Sequence, residues 1–183
     1  MTTFLSSSNL SLYTVPVAWW LCMAPHLYAI ERYRYIMNSA STDSIKPGTK
    51  KQLEFDRTQP RTFLSRLEAN PHPALTPELK TRLARAEAAS LNGYENLGFF
   101  AASVVAANIS LIVVHANEGQ SFSKELYYVN CHCLGYLASR ILFSWSYVEG
   151  ARGPHRGVYF YTGLACASAL FIHAGNALRK LVK

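Results

Sequence analysis

Charge is segregated along this chain more sharply than a soluble fold allows. Residues 31–90 hold eleven of the eighteen Lys and Arg and seven of the eleven Asp and Glu. Elsewhere the chain contains long apolar stretches near 20 residues, the length a helix needs to cross the hydrocarbon core. Four qualify, roughly 12–30, 97–115, 127–148 and 158–178, and only the third contains a charge, Arg140. Half of all residues are apolar, and the near-neutral mean hydropathy merely averages the two kinds of segment. The pattern predicts an all-α integral membrane protein, a four-helix bundle forming one domain over residues 1–183.

The links between spans are unequal. Residues 116–126 and 149–157 form short connections, which make neighbouring helices antiparallel. The first link, approximately 31–76, is far longer, and its middle (39–77) is rich in Ser, Thr, Pro and charge, as expected of a water-exposed loop. Thr76-Pro77-Glu78 then reads as a helix start, with Thr as N-cap, Pro at the first helical position and Glu at the positive dipole end. From there to His115 only Gly93 and Gly98 interrupt good helix formers, so the second span is expected to be a helix on the order of 55–60 Å long that protrudes from the bilayer. The N-terminus lacks the basic flank of a cleavable signal, so the first span is expected to stay as an anchor. The long loop and the link before the fourth span share a side and hold thirteen of the eighteen Lys and Arg, which places that side in the cytosol.

A net charge of +7 raises the question of nucleic acid. The basic residues, however, alternate with acids in one loop instead of forming a stripe on a folded surface, so no nucleic-acid partner is expected. Anionic headgroups or an anionic small ligand suit this distribution better. Cys22, Cys131, Cys133 and Cys166 all lie in apolar segments, where a free thiol packs as a small hydrophobe. The thiols of Cys131 and Cys133 would point in different directions on a helix, and no second ligand pair accompanies them, so no metal is expected.

The chemistry-bearing residues gather at one end. On the long helix, Arg82, Arg85, Asn92 and Asn96 fall within a sector of about 80°, with Glu95 at its edge. A polar stripe entering an apolar span should face the bundle interior and find a partner. Arg140 is the natural partner for Glu95, because an unpaired cation inside a span costs at least about 3 kcal/mol. Tyr147 follows two turns later on the same face, and Arg152 and Arg156 lie in the next link. Glu95–Arg140 is therefore expected as a structural ion pair, a role that leaves catalysis secondary. The alternative reading is that Arg152 and Arg156 serve only as headgroup anchors.

Arg85-Ala86-Glu87-Ala88-Ala89-Ser90-Leu91-Asn92-Gly93-Tyr94-Glu95-Asn96-Leu97 resembles the second-helix signature of the MAPEG family, the membrane-associated proteins in eicosanoid and glutathione metabolism. Arg140, Tyr147 and Arg152-Gly153-Pro154-His155-Arg156 resemble that family's third helix and following link, including their spacing. Pro25-His26-Leu27-Tyr28-Ala29 is similar to the first-helix ending of a fungal branch. The resemblance implies a homotrimer in the endoplasmic reticulum membrane that places glutathione between subunits, facing the cytosol. By position, Asn92, Glu95, Tyr147 and Arg156 match glutathione-contacting residues, and Arg140 matches the buried partner of the helix-two glutamate. Arg85 and Arg152 join them as candidate cofactor-binding cations, with Arg156 and Tyr147 as candidate catalytic residues.

Departures from the pattern bear on this. Leu91 stands where several members have an arginine that holds a glutathione carboxylate, and Ser90 replaces a frequent histidine. Phe143 replaces a histidine seen in isomerase members, Gly157 a serine and Phe160 a tyrosine. Each trades a polar contact for an apolar or small one. Three functions follow as expectations: a glutathione transferase or isomerase acting on a lipophilic substrate, a glutathione-independent isomerase or cyclase of a hydrophobic metabolite, or a non-catalytic lipid-binding scaffold.

Overall fold

Polar side chains turn inward and large apolar ones outward over much of this molecule. Ser11, Ser103, Asn108, Ser110, Asn130, Ser139, Arg140 and Ser146 are buried, whereas Ile112, Trp145 and Ile172 are each more than 60% exposed. A surface so apolar is stable only against an apolar solvent. The computed structural model describes residues 2–39, 55–56, 58–118, 123–150 and 154–181. Among them are six α-helices and no strand: α1 (Thr2–Ser7), α2 (Ser11–Ser39), α3 (Phe63–Ala69), α4 (Pro77–Glu118), α5 (Ser123–Glu149) and α6 (His155–Leu181). A 3-10 turn, Pro60–Thr62, leads into α3.

Of the four long helices, α4 over Pro77–Val113 and α6 over His155–Lys180 are long and apolar enough to cross a membrane. The other two expected spans fall short of that measure. Pro, His, Trp and Tyr dilute the aliphatic content of α2, and Asn130, His132, Arg140 and four serines do so in α5. The long helices pack on one another, α4 lying against α2, α5 and α6, and α5 against α6. Their core joins Ala18, Phe100, Val104, Ala107, Val129, Cys133, Tyr136, Ala167 and Leu170. Phe100 and Tyr136 stack face to face, with centroids 3.7 Å apart and planes 2° from parallel. The buried serine hydroxyls are satisfied locally: Ser103, Ser110, Ser139 and Ser146 each donate to the carbonyl three residues back.

Small residues set the helix spacing. A Cβ at Gly93 would lie 2.8 Å from Cys22 Sγ, and one at Gly163 would lie 2.5 Å from Ser139 Oγ. These glycines let α2 approach α4 and α6 approach α5 closely, which matters where packing rather than water exclusion holds helices together.

Polar groups close the bundle at the α1 end. Asn130 Nδ2 donates to the carbonyls of Leu5 and Ser8, both at 2.8 Å, while its Oδ1 accepts from Leu10 N. Asn108 Nδ2 donates to Ser11 Oγ, and its Oδ1 accepts from Asn9 Nδ2 at 2.6 Å. Asn108 follows Arg85 by 23 positions on one helix, so this network sits about 35 Å from the arginine-rich end, close to the span of a bilayer.

At the arginine-rich end the expected loop of 31–76 is shorter than the sequence suggested. α2 continues to Ser39, and α3 packs Phe63 and Leu67 with Tyr33, Leu75, Leu83 and Ala86 in a second core. Tyr33 meets Phe63 edge to face at 5.4 Å, and its hydroxyl accepts from Asn70 Nδ2 at 2.8 Å. Asp56 accepts from Thr58 N and Oγ1 and, through its other oxygen, from Arg66 Nη2. A few apolar residues spaced along a polar segment suffice once α2 and α4 offer protruding faces to cover. Residues 40–54 of the loop lie outside the described residues. α4 starts as expected, with Leu79 N donating to Thr76 Oγ1 at 3.3 Å.

Candidate functional site

The site residues sit where α4, α5 and the first turn of α6 meet. Arg82 and Arg85, both in the first third of α4, secure the C-terminal end of α5. Arg85 Nε donates to the Val148 carbonyl at 3.2 Å, in the last turn of α5 where the helix dipole favours a cation. Gly150, at φ +69°, leaves room for that guanidinium, since a Cβ there would lie 2.7 Å from Arg85 Cζ. Arg82 pairs with Glu149. The candidate cofactor-binding Arg85 is thus engaged through Nε in holding α5.

Two and three turns deeper, Arg140 is 4% exposed. Its Nη2 donates to Asn92 Oδ1 at 2.7 Å. The guanidinium lies 4.6 Å from the centroid of Phe143 and 5.9 Å from that of Phe160. The expected Glu95–Arg140 ion pair is not formed within the chain. Glu95 is exposed and makes no ion pair among the described residues, while one amide and two ring faces surround the cation. The physical reason is angular. Asn92 lies inside the helix sector that faces α5, and Glu95 lies at its edge, turned away from α5.

Tyr147 and Arg156 come together as expected. Arg156 Cζ lies 4.7 Å from the Tyr147 ring centroid, within cation–π range. Tyr147 is half-buried and Arg156 exposed. Phe143 continues the row, 5.4 Å from Tyr147 and 6.0 Å from Phe160. Three rings therefore run from the helix interior to the helix ends, with one buried guanidinium at the inner end and one accessible guanidinium at the outer end. Arg152 lies outside the described residues.

Phe143 and Phe160 were legible in the sequence only as departures from a polar pattern. In three dimensions they are what holds Arg140. A signal existed: Phe143 follows Arg140 by three residues, which puts the two on one helix face. The cysteines, by contrast, pack. Cys22 and Cys133 are buried free thiols, and a Cβ at Gly135 would lie 3.1 Å from Cys166 Sγ.

An accessible cation on an aromatic face can bind an anion or stabilise a developing negative charge, and the buried one fixes α5 against α4. No curated protein and no solved structure matches the chain. The sequence pattern of one family does, over residues 10–176, which takes in α2, α4, α5, most of α6 and every site residue named above. The chain belongs to the MAPEG family, whose members are membrane proteins and include glutathione transferases and isomerases.

Proposed function

We propose that this protein is a membrane-bound enzyme that joins glutathione to a lipophilic small molecule, or uses it to isomerise one, with the thiolate stabilised by Arg156. The observation that carries the reading is the exposed Arg156 guanidinium seated 4.7 Å over Tyr147. A thiol with a pKa of about 8.5 is only a few per cent thiolate at pH 7, and a guanidinium beside the sulfur favours the charged form. Arg156 would face the sulfur, Tyr147 would hold that cation and offer its hydroxyl, and Asn92 and Glu95 would meet the peptide. Glutathione, when bound, supplies the nucleophilic sulfur.

The same reading has four spans, both termini in the lumen of the endoplasmic reticulum and the Arg156 end in the cytosol. It also has a homotrimer. Glu95 supports the assembly, because an exposed carboxylate about 15 Å below Arg85 along α4 calls for a partner, and a neighbouring copy can bring one. A hydrophobic substrate would reach the ring row directly from the bilayer.

The aromatic floor of Phe143 and Phe160, with Arg85 engaged elsewhere, favours a second reading: a glutathione-independent isomerase or cyclase of a hydrophobic metabolite. Thermal unfolding of the detergent-purified protein with and without millimolar glutathione separates the two. A binder is stabilised by about 2.7 kcal/mol at a hundredfold excess over Kd. An unchanged midpoint rejects the first reading and leaves the second, which then requires turnover of a lipophilic substrate that Arg156→Ala abolishes.

A further inference from the structure

Another flank of α5, turned away from Arg140 and Tyr147, forms an open groove with α2. Its volume is about 290 Å³, and Pro25, Tyr28, Trp145 and Val148 line it, with Arg82 and Glu149 at one end. Trp145 is 63% exposed and sits one helical turn deeper than Glu149. In a membrane protein this surface opens to lipid. Its size lies at the lower end of small-molecule pockets, roughly 300 Å³, enough for part of one acyl chain.

The polar end specifies the headgroup. Arg82 and Glu149 form an ion pair whose side chains are 40% and 42% exposed, so both charges remain accessible. The Arg82 guanidinium also lies 5.8 Å from the Tyr28 centroid. A free anion at Arg82 would be repelled by Glu149, and a free cation at Glu149 by Arg82. A molecule carrying both signs on one headgroup satisfies each side.

We propose that this groove holds one zwitterionic glycerophospholipid from the leaflet in which α5 ends. A phosphate oxygen accepts from Arg82, the ammonium lies by Glu149, and one acyl chain runs past Trp145 and Pro25. The site is separate from the Arg156–Tyr147 region and does not depend on glutathione.

The test uses the full chain with Trp19→Phe and Trp20→Phe, which leaves Trp145 as the sole indole. It is reconstituted in nanodiscs containing a small fraction of phosphatidylcholine or phosphatidylglycerol brominated on the acyl chain. The proposal expects saturable quenching of Trp145 fluorescence, with phosphatidylcholine preferred roughly two- to fivefold, the ratio that one partly exposed ion pair between the choline cation and Glu149 supplies. Glu149→Gln should erase the preference or turn it towards phosphatidylglycerol. Arg82→Gln, which removes the cation that the phosphate meets, should weaken quenching by phosphatidylcholine. Equal quenching by both lipids that rises linearly with their fraction means bulk lipid only and overturns the proposal. Absence of quenching by either lipid means that another occupant, such as a second copy, covers the groove, and overturns it as well.

Discussion

Arg140 reaches across the α4–α5 interface to the side-chain oxygen of Asn92, 2.7 Å away, with Phe143 beneath its guanidinium. This bond is what allows a cation to sit buried between α4 and α5; among the described residues no carboxylate pairs with it. A hydrogen bond to a charged group contributes roughly 1.5–3 kcal/mol, and losing it leaves the charge uncompensated.

Asn92→Ala should therefore destabilise the detergent-solubilised protein by about 2–3 kcal/mol. Asn92→Leu/Arg140→Leu together should recover part of that loss, because an apolar pair removes the buried charge along with its partner. Glu95→Gln should change monomer stability by less than about 0.5 kcal/mol. Thermal unfolding of the three variants decides this. A Glu95→Gln loss as large as that of Asn92→Ala would mean the carboxylate has a strong partner in a neighbouring copy.

The Tyr147–Arg156 stack separates positioning from hydrogen bonding. Tyr147→Phe keeps the ring face and removes only the hydroxyl, whereas Tyr147→Leu removes both. If the ring positions the cation, glutathione-dependent turnover should fall little in the first variant and by about 10- to 100-fold in the second. Arg156→Ala should abolish turnover while leaving the unfolding midpoint nearly unchanged, since the side chain is exposed. Equal losses for Phe and Leu would assign the role to the hydroxyl.

Helix spacing offers a test independent of function. Gly163→Ala places a methyl 2.5 Å from Ser139 Oγ and 3.7 Å from Ser139 Cβ. The single variant should cost about 1–3 kcal/mol, the usual penalty for overpacking. Adding Ser139→Ala removes the clashing oxygen and should restore most of it. A second change without benefit would mean that the backbone had already moved apart.

The segment around α3 should respond to acid. Hydrogen bonds from the Thr58 hydroxyl and backbone N–H, with the nearby Arg66 guanidinium, hold the Asp56 carboxyl below its ordinary value. A depressed folded pKa contributes stability that is fully present above the unfolded value, about 3.9, and lost as pH falls through the folded value. Pepsin should cut near Phe63 and Leu67 more readily towards pH 2 than at pH 4.5, relative to an unfolded reference substrate. Asp56→Asn, which cannot titrate, should flatten that dependence.

Several features were determined by the sequence alone. About twenty residues without charge cannot be exposed to water along their length, so apolar runs on either side of a charged loop predict membrane helices whatever their neighbours. Thr76-Pro77-Glu78 fixes the start of α4 because capping is a local matter of backbone N–H groups and one hydroxyl. The Tyr147–Arg156 pairing was foreseeable, since both belong to a short stretch around one link.

What only the tertiary structure decided depends on rotation and on distant contacts. Whether Asn92 or Glu95 meets Arg140 depends on how α4 is turned against α5, a few tens of degrees that no periodicity resolves. That Phe160 supports a cation, and that Phe63 and Leu67 cover Tyr33, became visible only when separate segments were brought together. Spacing along a chain encodes the faces of a helix, but the choice of partner for each face is made by close packing between helices, through glycines such as Gly93 and Gly163 whose missing side chains set the distance.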